Sequence, residues 1–308
     1  MSLADRSKKV VGLGLACLDQ LYLWQDMSLP VADNRIVDHQ VQGGGMTGTA
    51  LVAVARLGGQ AEYWGAVGED WMAELVLEGL RREGVALGHV QRVSGGRGPM
   101  VVVCVDQPTG QRHFLYSTGW KEPAAPIGSE ELLQSAGCLL VDGIYGDSAL
   151  RMAKAARRLG VSVVGDLEAS ERTRELLAYV DYAILSADHR GRLAAGEDWQ
   201  GICRSVAAMG PAHVIVTRGQ RGLAYLSAGR FGELDAFAVD VVDTTGAGDT
   251  FHGAFCYGLV QGFELERNLV FSSAVAAMKC RKMGGRAGIP TRGEVEDFLR
   301  CRGVHWQD

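Results

Sequence analysis

The sequence predicts an α/β fold with a doubly wound, mostly parallel central sheet flanked by helices and a second, small β-sheet. Short runs rich in β-branched residues alternate with helix-like runs along most of the chain. This alternation is typical of parallel strands that are joined by crossover helices. Residues 20–42 and 97–118 instead alternate like strands and lack a helical period, so we expect them to project as the separate small sheet.

The order of the elements supports this architecture along the whole chain. The strand-like runs of the central sheet are residues 9–16, 61–67, 138–141, 161–164, 182–185, 213–217, 223–226 and 237–242. The helix-like runs are residues 47–57, 71–82, 148–159, 254–260 and 270–278. A chain of 308 residues can bury a sufficient core without disulfides. We therefore expect residues 1–308 to form one domain with the small sheet inserted into it.

Composition and charge exclude several classes of function. The net charge of -5 and the pI near 5.8 argue against a nucleic-acid surface. No apolar stretch approaches the roughly 18 residues that span a bilayer, and no secretory apolar region opens the chain. Seven cysteines without a Cys-x-x-Cys pair indicate reduced thiols. We expect a cytoplasmic protein with no nucleic-acid or membrane partner.

The most informative segment is residues 243–253, which read D-T-T-G-A-G-D-T-F-H-G. Small residues between a strand-like and a helix-like run predict a loop that opens into a helix. The first N–H groups of a helix lack internal partners and can bind a phosphate. Asp249 at the helix start could take a proton from a hydroxyl that attacks this phosphate. The alternative is that Asp249 only caps the helix. The segment indicates phosphoryl transfer to an alcohol.

Other motifs are weaker or open to two interpretations. The run from Gly12 to Cys17 begins like a dinucleotide fingerprint, but Cys17 replaces its third glycine, so an oxidoreductase is disfavoured. No G-x-x-x-x-G-K-[ST] loop exists, and the histidines lack metal-ligand spacing. Lys279, Arg281, Lys282 and Arg286 form a basic cluster near a helix end. Cations are favourable at a helix C-terminus, although a phosphate contact remains open.

Four segments together closely resemble the ribokinase-like sugar kinases, the phosphofructokinase-B family. They are residues 243–253, the run G-G-G-M-T-G-T at 43–49 leading to A-R-L-G at 55–58, V-I-V-T-R-G-Q-R-G at 214–222, and G-G-R-A-G-I-P at 284–290. The resemblance implies a ribokinase-like fold in which the small sheet is a lid over the sugar. It also implies ATP-dependent transfer of the γ-phosphate to a hydroxyl of a small sugar such as a ketose or pentose, and we expect a primary hydroxyl.

The resemblance implies a role for individual residues. Asp249 would be the catalytic base, and the N–H groups of Gly246, Ala247 and Gly248 would hold the transferring group. The residues implied on the sugar side are Asp19, Gly44, Gly45, Thr49 and Arg35. Thr49 stands where the family usually has Asn, and Arg35 would meet an anionic tail. The residues implied on the nucleotide side are Thr217, Gly219, Gly222, Thr245 and Gly285.

The same resemblance implies cofactors and a homodimer in which the lids of two subunits pack together. Mg²⁺ is expected with ATP because neutralising the phosphates lowers the barrier. The family's Asn-x-x-Glu motif is replaced by Ser186-Ala187-Asp188-His189, so Asp188 or Asp166 would serve the metal, with Asp243 nearby. Carbonyls of Asp243, Thr245 and the 284–290 loop are implied as a site for a monovalent cation, K⁺.

The substrate is left open at this level. Residues 243–253, 43–45 and 279–290 look most like the ketose-phosphorylating branch, which includes kinases of sulfofructose. Ile144 and Tyr116 lie in predicted pocket stretches where an anion-binding enzyme would offer polar groups. A nucleoside kinase is a second alternative, with Tyr22, Trp24 and Trp120 available to stack on a base. A catalytically silent sugar or nucleotide-binding protein is disfavoured because Asp249 is retained.

Overall fold

The computed structural model describes residues 8–30, 33–109, 112–117, 123, 125–167, 171–187 and 198–304. Nine strands form a central sheet in the spatial order β13-β12-β11-β10-β9-β8-β1-β4-β5. Their bounds are β1 Lys9–Leu13, β4 Gln60–Val67, β5 Ala86–Arg92, β8 Cys138–Val141, β9 Ser162–Asp166, β10 Tyr182–Ser186, β11 His213–Thr217, β12 Leu223–Ser227 and β13 Arg230–Leu234. All neighbours from β11 to β5 pair in parallel, whereas β12 and β13 are antiparallel.

Four strands form a second sheet in the order β3-β2-β6-β7. They are β2 Cys17–Trp24, β3 Ile36–Gly44, β6 Met100–Asp106 and β7 Arg112–Ser117. β2 pairs with β6 in parallel, and the two outer pairs are antiparallel. The predicted fold class, a mostly parallel central sheet with a separate small sheet, is confirmed. The small sheet begins at Cys17, which places Asp19 within a strand of that sheet.

Helices cover both faces of the central sheet. They are α1 Met46–Arg56, α2 Trp71–Arg82, α3 Glu130–Leu133, α4 Gly146–Leu159, α5 Glu171–Leu177, α6 Trp199–Ala207, α7 Ala247–Val260, α8 Leu265–Lys279 and α9 Arg292–Arg300. One buried cluster packs α1, α2, α7, α8 and α9 on one face, and another packs α4, α5 and α6 on the opposite face. None of the described helices is both long and apolar enough to cross a bilayer.

Two parts of the sequence-based element list are wrong. Residues 237–242 do not form a strand. They run beside the end of α8, where the N–H groups of Val242 and Asp243 both donate to the carbonyl of Cys280. Several elements were not predicted, namely the edge strands β5 and β13 and the helices α3, α5, α6 and α9. The two edge strands are half-exposed and lack a continuous apolar run.

The parallel strands bring their carboxyl ends to one edge of the central sheet. Asp142 follows β8 directly, Asp166 ends β9, and Thr217 ends β11. The first turn of α7 lies at the same edge, since the ring of His252 reaches the carbonyl of Ile184 in β10. In open α/β sheets this edge is where ligands bind.

Candidate active site

The N-terminus of α7 opens toward solvent and carries unpaired N–H groups. Gly246 at the N-cap adopts a left-handed conformation with φ of 72°. Among the described residues, the N–H groups of Gly246, Gly248 and Asp249 have no hydrogen-bond partner, whereas that of Ala247 donates to the Thr244 carbonyl at 3.2 Å. A Cβ added to Gly248 would have no heavy atom within 4 Å. The N-terminus of α7, called the helix mouth below, therefore offers N–H groups and free space that an anion could use.

Asp243 holds this loop in place. Its buried carboxylate accepts hydrogen bonds from the N–H and hydroxyl of Thr245 at 2.9 and 2.8 Å, and from the N–H of Gly284 at 2.7 Å. Burial would raise the pKa of Asp243, but the hydrogen bonds from Thr245 and Gly284 outweigh it and lower this pKa. The carboxylate thus ties the 243–246 loop to the 284–285 loop, and this engagement favours a structural role over the metal role that the sequence suggested.

Asp249 lies in the first turn of α7 and is half-buried. Burial raises the pKa of its carboxyl to about 7, and the neighbouring carboxylate of Asp166 adds to the increase. His252 acts in the opposite direction, while Asp19 and Asp142 raise the pKa further. A carboxyl with a pKa near neutrality can accept a proton and release it at neutral pH, as a general base requires.

His252 connects the helix to the strand ends beneath it. One ring nitrogen, Nδ1, lies 2.8 Å from the Gly248 carbonyl, and Nε2 lies 3.2 Å from the Ile184 carbonyl. Nε2 also lies 3.4 Å from Oδ1 of Asp166. The ring therefore fixes the first turn of α7 relative to β9 and β10, and it brings Asp166 into the neighbourhood of Asp249.

Of the three residues proposed for a metal, Asp166 is the one placed beside Asp249. Asp188 lies outside the described residues, and Asp243 is engaged as above. The described part of the chain contains no group of three or more His, Cys, Asp or Glu residues that could hold a metal ion. Mg²⁺ bound with a nucleotide keeps several waters and needs only one or two protein carboxylates, so Asp166 fits such an ion.

Asp19 is a buried carboxylate in β2, packed against bare backbone. The thiol of Cys17 donates to its Oδ1 at 3.3 Å. A Cβ on Gly44 would lie 2.1 Å from the same oxygen, so only glycine fits there. Burial raises the pKa of Asp19, whereas the Cys17 thiol and the charge of Arg286 lower it. Gly45 has φ of 86° and begins the turn into α1.

Arg286, which the sequence placed only in a basic cluster near a helix end, lies beside the predicted sugar residues Gly44 and Thr49. Its side chain is buried, with Nη2 donating to the Gly44 carbonyl at 2.7 Å and Nε to Oγ1 of Thr49 at 3.3 Å. A Cβ on Gly43 would lie 2.0 Å from its Nη1, and one on Gly48 would lie 2.8 Å from Nη2. Gly43 and Gly48 thus make room for this guanidinium. The need for glycine at these two positions is explained by Arg286 and does not require a sugar close to the backbone.

The sequence interpretation missed Asp142, which organises the same edge. Its buried carboxylate accepts hydrogen bonds from the N–H of Leu15 at 2.6 Å, the hydroxyl of Thr47 at 2.9 Å and the N–H of Ile144 at 3.0 Å. Burial raises the pKa of Asp142 to about 6, and these hydrogen bonds oppose the increase. Only its position, directly after a strand of the parallel sheet, could have drawn attention to it.

The remaining predicted residues divide between the site and the periphery. Thr245 and Gly285 face each other at the mouth of α7, with an added Gly285 Cβ 3.9 Å from Thr245 Cγ2. Thr217 ends β11 and donates its hydroxyl to the Leu185 carbonyl at 3.2 Å. Gly219 and Gly222 follow it with positive φ of 57° and 73°. Arg35 is exposed just before β3, and its described hydrogen bonds use only its backbone: its N–H donates to Oδ1 of Asn34, and its carbonyl accepts from the N–H of Gln25.

Comparison with known proteins agrees with this arrangement. The sequence model of the "pfkB family carbohydrate kinase" matches residues 7–292. Ribokinase of Bacillus subtilis is 26% identical over 261 residues, which cover 83% of this chain and 87% of that protein. Ribokinase of Arabidopsis thaliana is 30% identical over 277 residues, covering 85% of this chain and 73% of that protein. The structure of the Arabidopsis enzyme complexed with ribose and ATP superposes with a TM-score of 0.83 at 27% identity, covering 96% and 99% of the two chains.

Fold, helix mouth and sequence similarity together define a sugar kinase, a phosphate-transferring enzyme with an alcohol as acceptor. The chain belongs to the pfkB family of carbohydrate kinases, because the family match spans nearly its whole length.

Proposed function

We propose that this enzyme transfers the γ-phosphate of ATP to a primary hydroxyl of a small neutral sugar, such as a pentose or ketose. The observation that supports it best is the joint placement of Asp249, with its pKa near 7, and the unpaired N–H groups at the open mouth of α7. The ribokinase relatives, one of them solved with ribose and ATP, support a sugar of this size.

We assign a group to each step of the transfer. The acceptor oxygen attacks the γ-phosphorus in line, its proton passes to the Asp249 carboxylate, and the bond to the β-phosphate oxygen breaks to release ADP. The N–H groups of Gly246 and Gly248 stabilise the transferring group, and that of Ala247 can join by sharing its bond to Thr244. Asp19 accepts hydrogen bonds from two hydroxyls of the sugar.

The nucleotide would lie along the same edge of the central sheet. Its phosphates would extend from the mouth of α7, beside Thr245 and Gly285, and its ribose toward Thr217, Gly219 and Gly222. Asp166 would hold Mg²⁺ through water, with Asp188 as a further candidate. When bound, the ion neutralises charge on the β- and γ-phosphates.

The Asp243 carbonyl, which was expected to help hold a monovalent cation, already accepts a hydrogen bond from a buried ammonium group. Nζ of Lys279, a side chain with no exposed surface, donates to this carbonyl at 2.9 Å. Its ammonium group already supplies a positive charge behind the anion-binding loop. We therefore expect turnover by the wild-type enzyme to be the same in K⁺ and in tetramethylammonium buffers.

Lys279→Met should make turnover respond to added K⁺ or NH₄⁺, because the cation could then replace the lost ammonium. The measurement is initial rate against salt identity at constant ionic strength, with exposed Lys282→Met as the matched control. Strong activation of the wild-type enzyme by K⁺ would show that a separate cation site exists.

Gly248→Ala tests the helix mouth without disturbing the fold. The new methyl group has free space in the protein, but it would enter the volume assigned to the transferring phosphate. We expect kcat to fall by about 100-fold, since displacement of a reacting group by about 1 Å costs this much. The melting temperature should not fall. Gly79→Ala in α2, where an added Cβ also meets nothing within 4 Å, is the control that should retain full activity.

The assignment as a whole is tested by ADP release across pentoses, ketoses, hexoses, sugar acids, sulfofructose and nucleosides. Turnover of a neutral sugar at the highest kcat/KM supports the proposal. Preference for sulfofructose or for a nucleoside would replace the substrate class, and binding without any turnover would indicate a silent sugar-binding protein.

The nucleoside alternative depends on aromatic residues that could contact a base. Tyr22 and Trp24 of β2 are half-buried and could do so, whereas Trp120 lies outside the described residues.

The proposal includes a homodimer formed through the small sheet and a cytoplasmic location. Large apolar side chains are exposed on this sheet at Ile36, Val37, Val41, Leu115 and Tyr116, and exposed apolar patches of this kind mark interaction surfaces.

The cysteines support the proposed cytoplasmic location. All seven cysteines are free and six of them are buried. Reduced thiols are typical of proteins that work in a reducing compartment.

A further inference from the structure

Arg286 carries a buried charge that no carboxylate contacts directly. Its two hydrogen-bond acceptors, the Gly44 carbonyl and the Thr49 hydroxyl, are both neutral. Among the described residues no carboxylate oxygen lies within 4.0 Å of the guanidinium, although Cys17, Asp19, Glu83 and Asp249 influence it at longer range. Burial of a charge is costly unless hydrogen bonds and nearby opposite charges compensate it, so a carboxylate at longer range matters to this guanidinium.

The neighbouring group is Asp19. The peptide at Gly44 separates the two side chains, because its carbonyl accepts from Nη2 of Arg286 while its missing side chain leaves space for the Asp19 carboxylate. Burial favours the protonated form of Asp19, and a protonated carboxyl could not accept hydrogen bonds from two sugar hydroxyls on both oxygens. The positive charge of Arg286 and the thiol of Cys17 both oppose protonation.

The position of the guanidinium is built into the chain. Gly43 and Gly48 leave the volume it fills. The backbone carbonyl of Arg286 accepts a hydrogen bond from Nη1 of Arg56 at 2.6 Å, and Arg56 in turn pairs with Glu83 at 2.6 Å. A surface arginine held loosely would show none of these constraints.

We infer that Arg286 is a positioning residue of the sugar site, which keeps Asp19 ionised and holds the 43–49 segment in the conformation that binds the sugar. The inference rests on the proposed sugar kinase function. It assigns to Arg286 a main effect on sugar affinity, since the described hydrogen bonds of its side chain go to Gly44 and Thr49 and not to Asp249 or to the N–H groups at the mouth of α7.

The test uses the neutral sugar with the highest kcat/KM in the panel above. Arg286→Gln should raise KM for that sugar roughly tenfold to 100-fold, the range for loss of a charged hydrogen-bonding partner. KM for ATP and kcat should change little. Arg286→Lys, which retains the charge, should recover part of the affinity. Arg281→Ala removes an exposed arginine of the same segment and is the matched control.

A double-mutant cycle with Asp19→Asn separates this role from general support of the fold. If Arg286 acts through Asp19, the KM effect of the double substitution should be smaller than the two single effects combined, because the positive charge has no carboxylate to act on once Asp19 is an amide. Additive effects, or a loss of kcat with unchanged KM for the sugar, would overturn the inference. Loss confined to sugars with an anionic tail would also overturn it, and would make Arg286 a direct ligand of that tail.

Failure of the proposed function has a different signature. If wild-type enzyme turns over no sugar in the panel, the sugar kinase assignment fails and the role of Arg286 fails with it. If wild-type enzyme turns over a sugar and the Arg286 variants match it in KM at unchanged melting temperature, the role of Arg286 alone is disproved.

Discussion

Asp249→Asn is expected to lower kcat by about 10²- to 10⁴-fold, the range for loss of a general base. The amide has the same shape as the carboxyl and keeps the first turn of α7, but it cannot take the proton of the attacking hydroxyl. ATP affinity should be retained, because the N–H groups of the helix mouth are unchanged. ADP release and equilibrium binding of an ATP analogue measure the two effects separately.

Asp147→Asn is the matched control, because Asp147 is an exposed acidic residue in the first turn of α4. If Asp249 served only the end of its helix, the two substitutions would have similar, small effects. The pH profile gives an independent check: Asp249 must be deprotonated to act, so kcat/KM should rise through about pH 7 and level off above it. A rate that is independent of pH between 6 and 8 would contradict the assignment.

Asp249→Asn should also raise stability at alkaline pH. The folded-state pKa of about 7 lies above the ordinary value of 3.8, so the folded protein holds this proton more tightly than the unfolded chain. Stability from this group is therefore lost as pH rises toward and through 7, and the neutral amide avoids the loss. Loss of activity combined with a higher melting temperature at pH 8 would be typical of a strained catalytic group.

Asp243→Ala is expected to have the second largest effect, because it releases the loop that forms the helix mouth. It removes the acceptor of three hydrogen bonds, two from Thr245 and one from Gly284. It also removes the negative charge that interacts with the buried ammonium group of Lys279. The free energy of unfolding should fall by about 3 kcal/mol, at about 1 kcal/mol for each bond. kcat should fall by about 100-fold, because the N–H groups at the mouth of α7 would move away from the transferring phosphate.

Urea denaturation and ADP release measure the two consequences on the same preparation. Asp240→Asn changes an exposed aspartate three residues earlier and should leave both unchanged. Loss of stability with normal kcat would show that the loop keeps its conformation without Asp243, which would remove this residue from the anion-binding arrangement.

Sequence reasoning was most accurate where the information is local. The run 243–253 predicts a loop that opens into a helix with Asp249 at its start, and α7 indeed begins at Ala247 with Asp249 in its first turn. The alternation of strand-like and helix-like runs likewise predicts the parallel sheet, because crossover helices leave few other topologies. Errors occurred where local patterns were weak, as in the half-exposed edge strand β5 and the extended residues 237–242.

The sequence by itself predicted the fold class and the loop that opens into α7 with Asp249 in its first turn, since alternating runs and a local turn can be read from neighbouring residues. Only the tertiary structure decided how the charges around that base are arranged. Arg286 reaches the Gly44 carbonyl across 242 residues of chain, and Asp166 approaches Asp249 only because α7 packs over the ends of β9 and β10. The burial of such a residue and the charges around it depend on which distant segments the fold brings together. Local sequence patterns do not show those contacts.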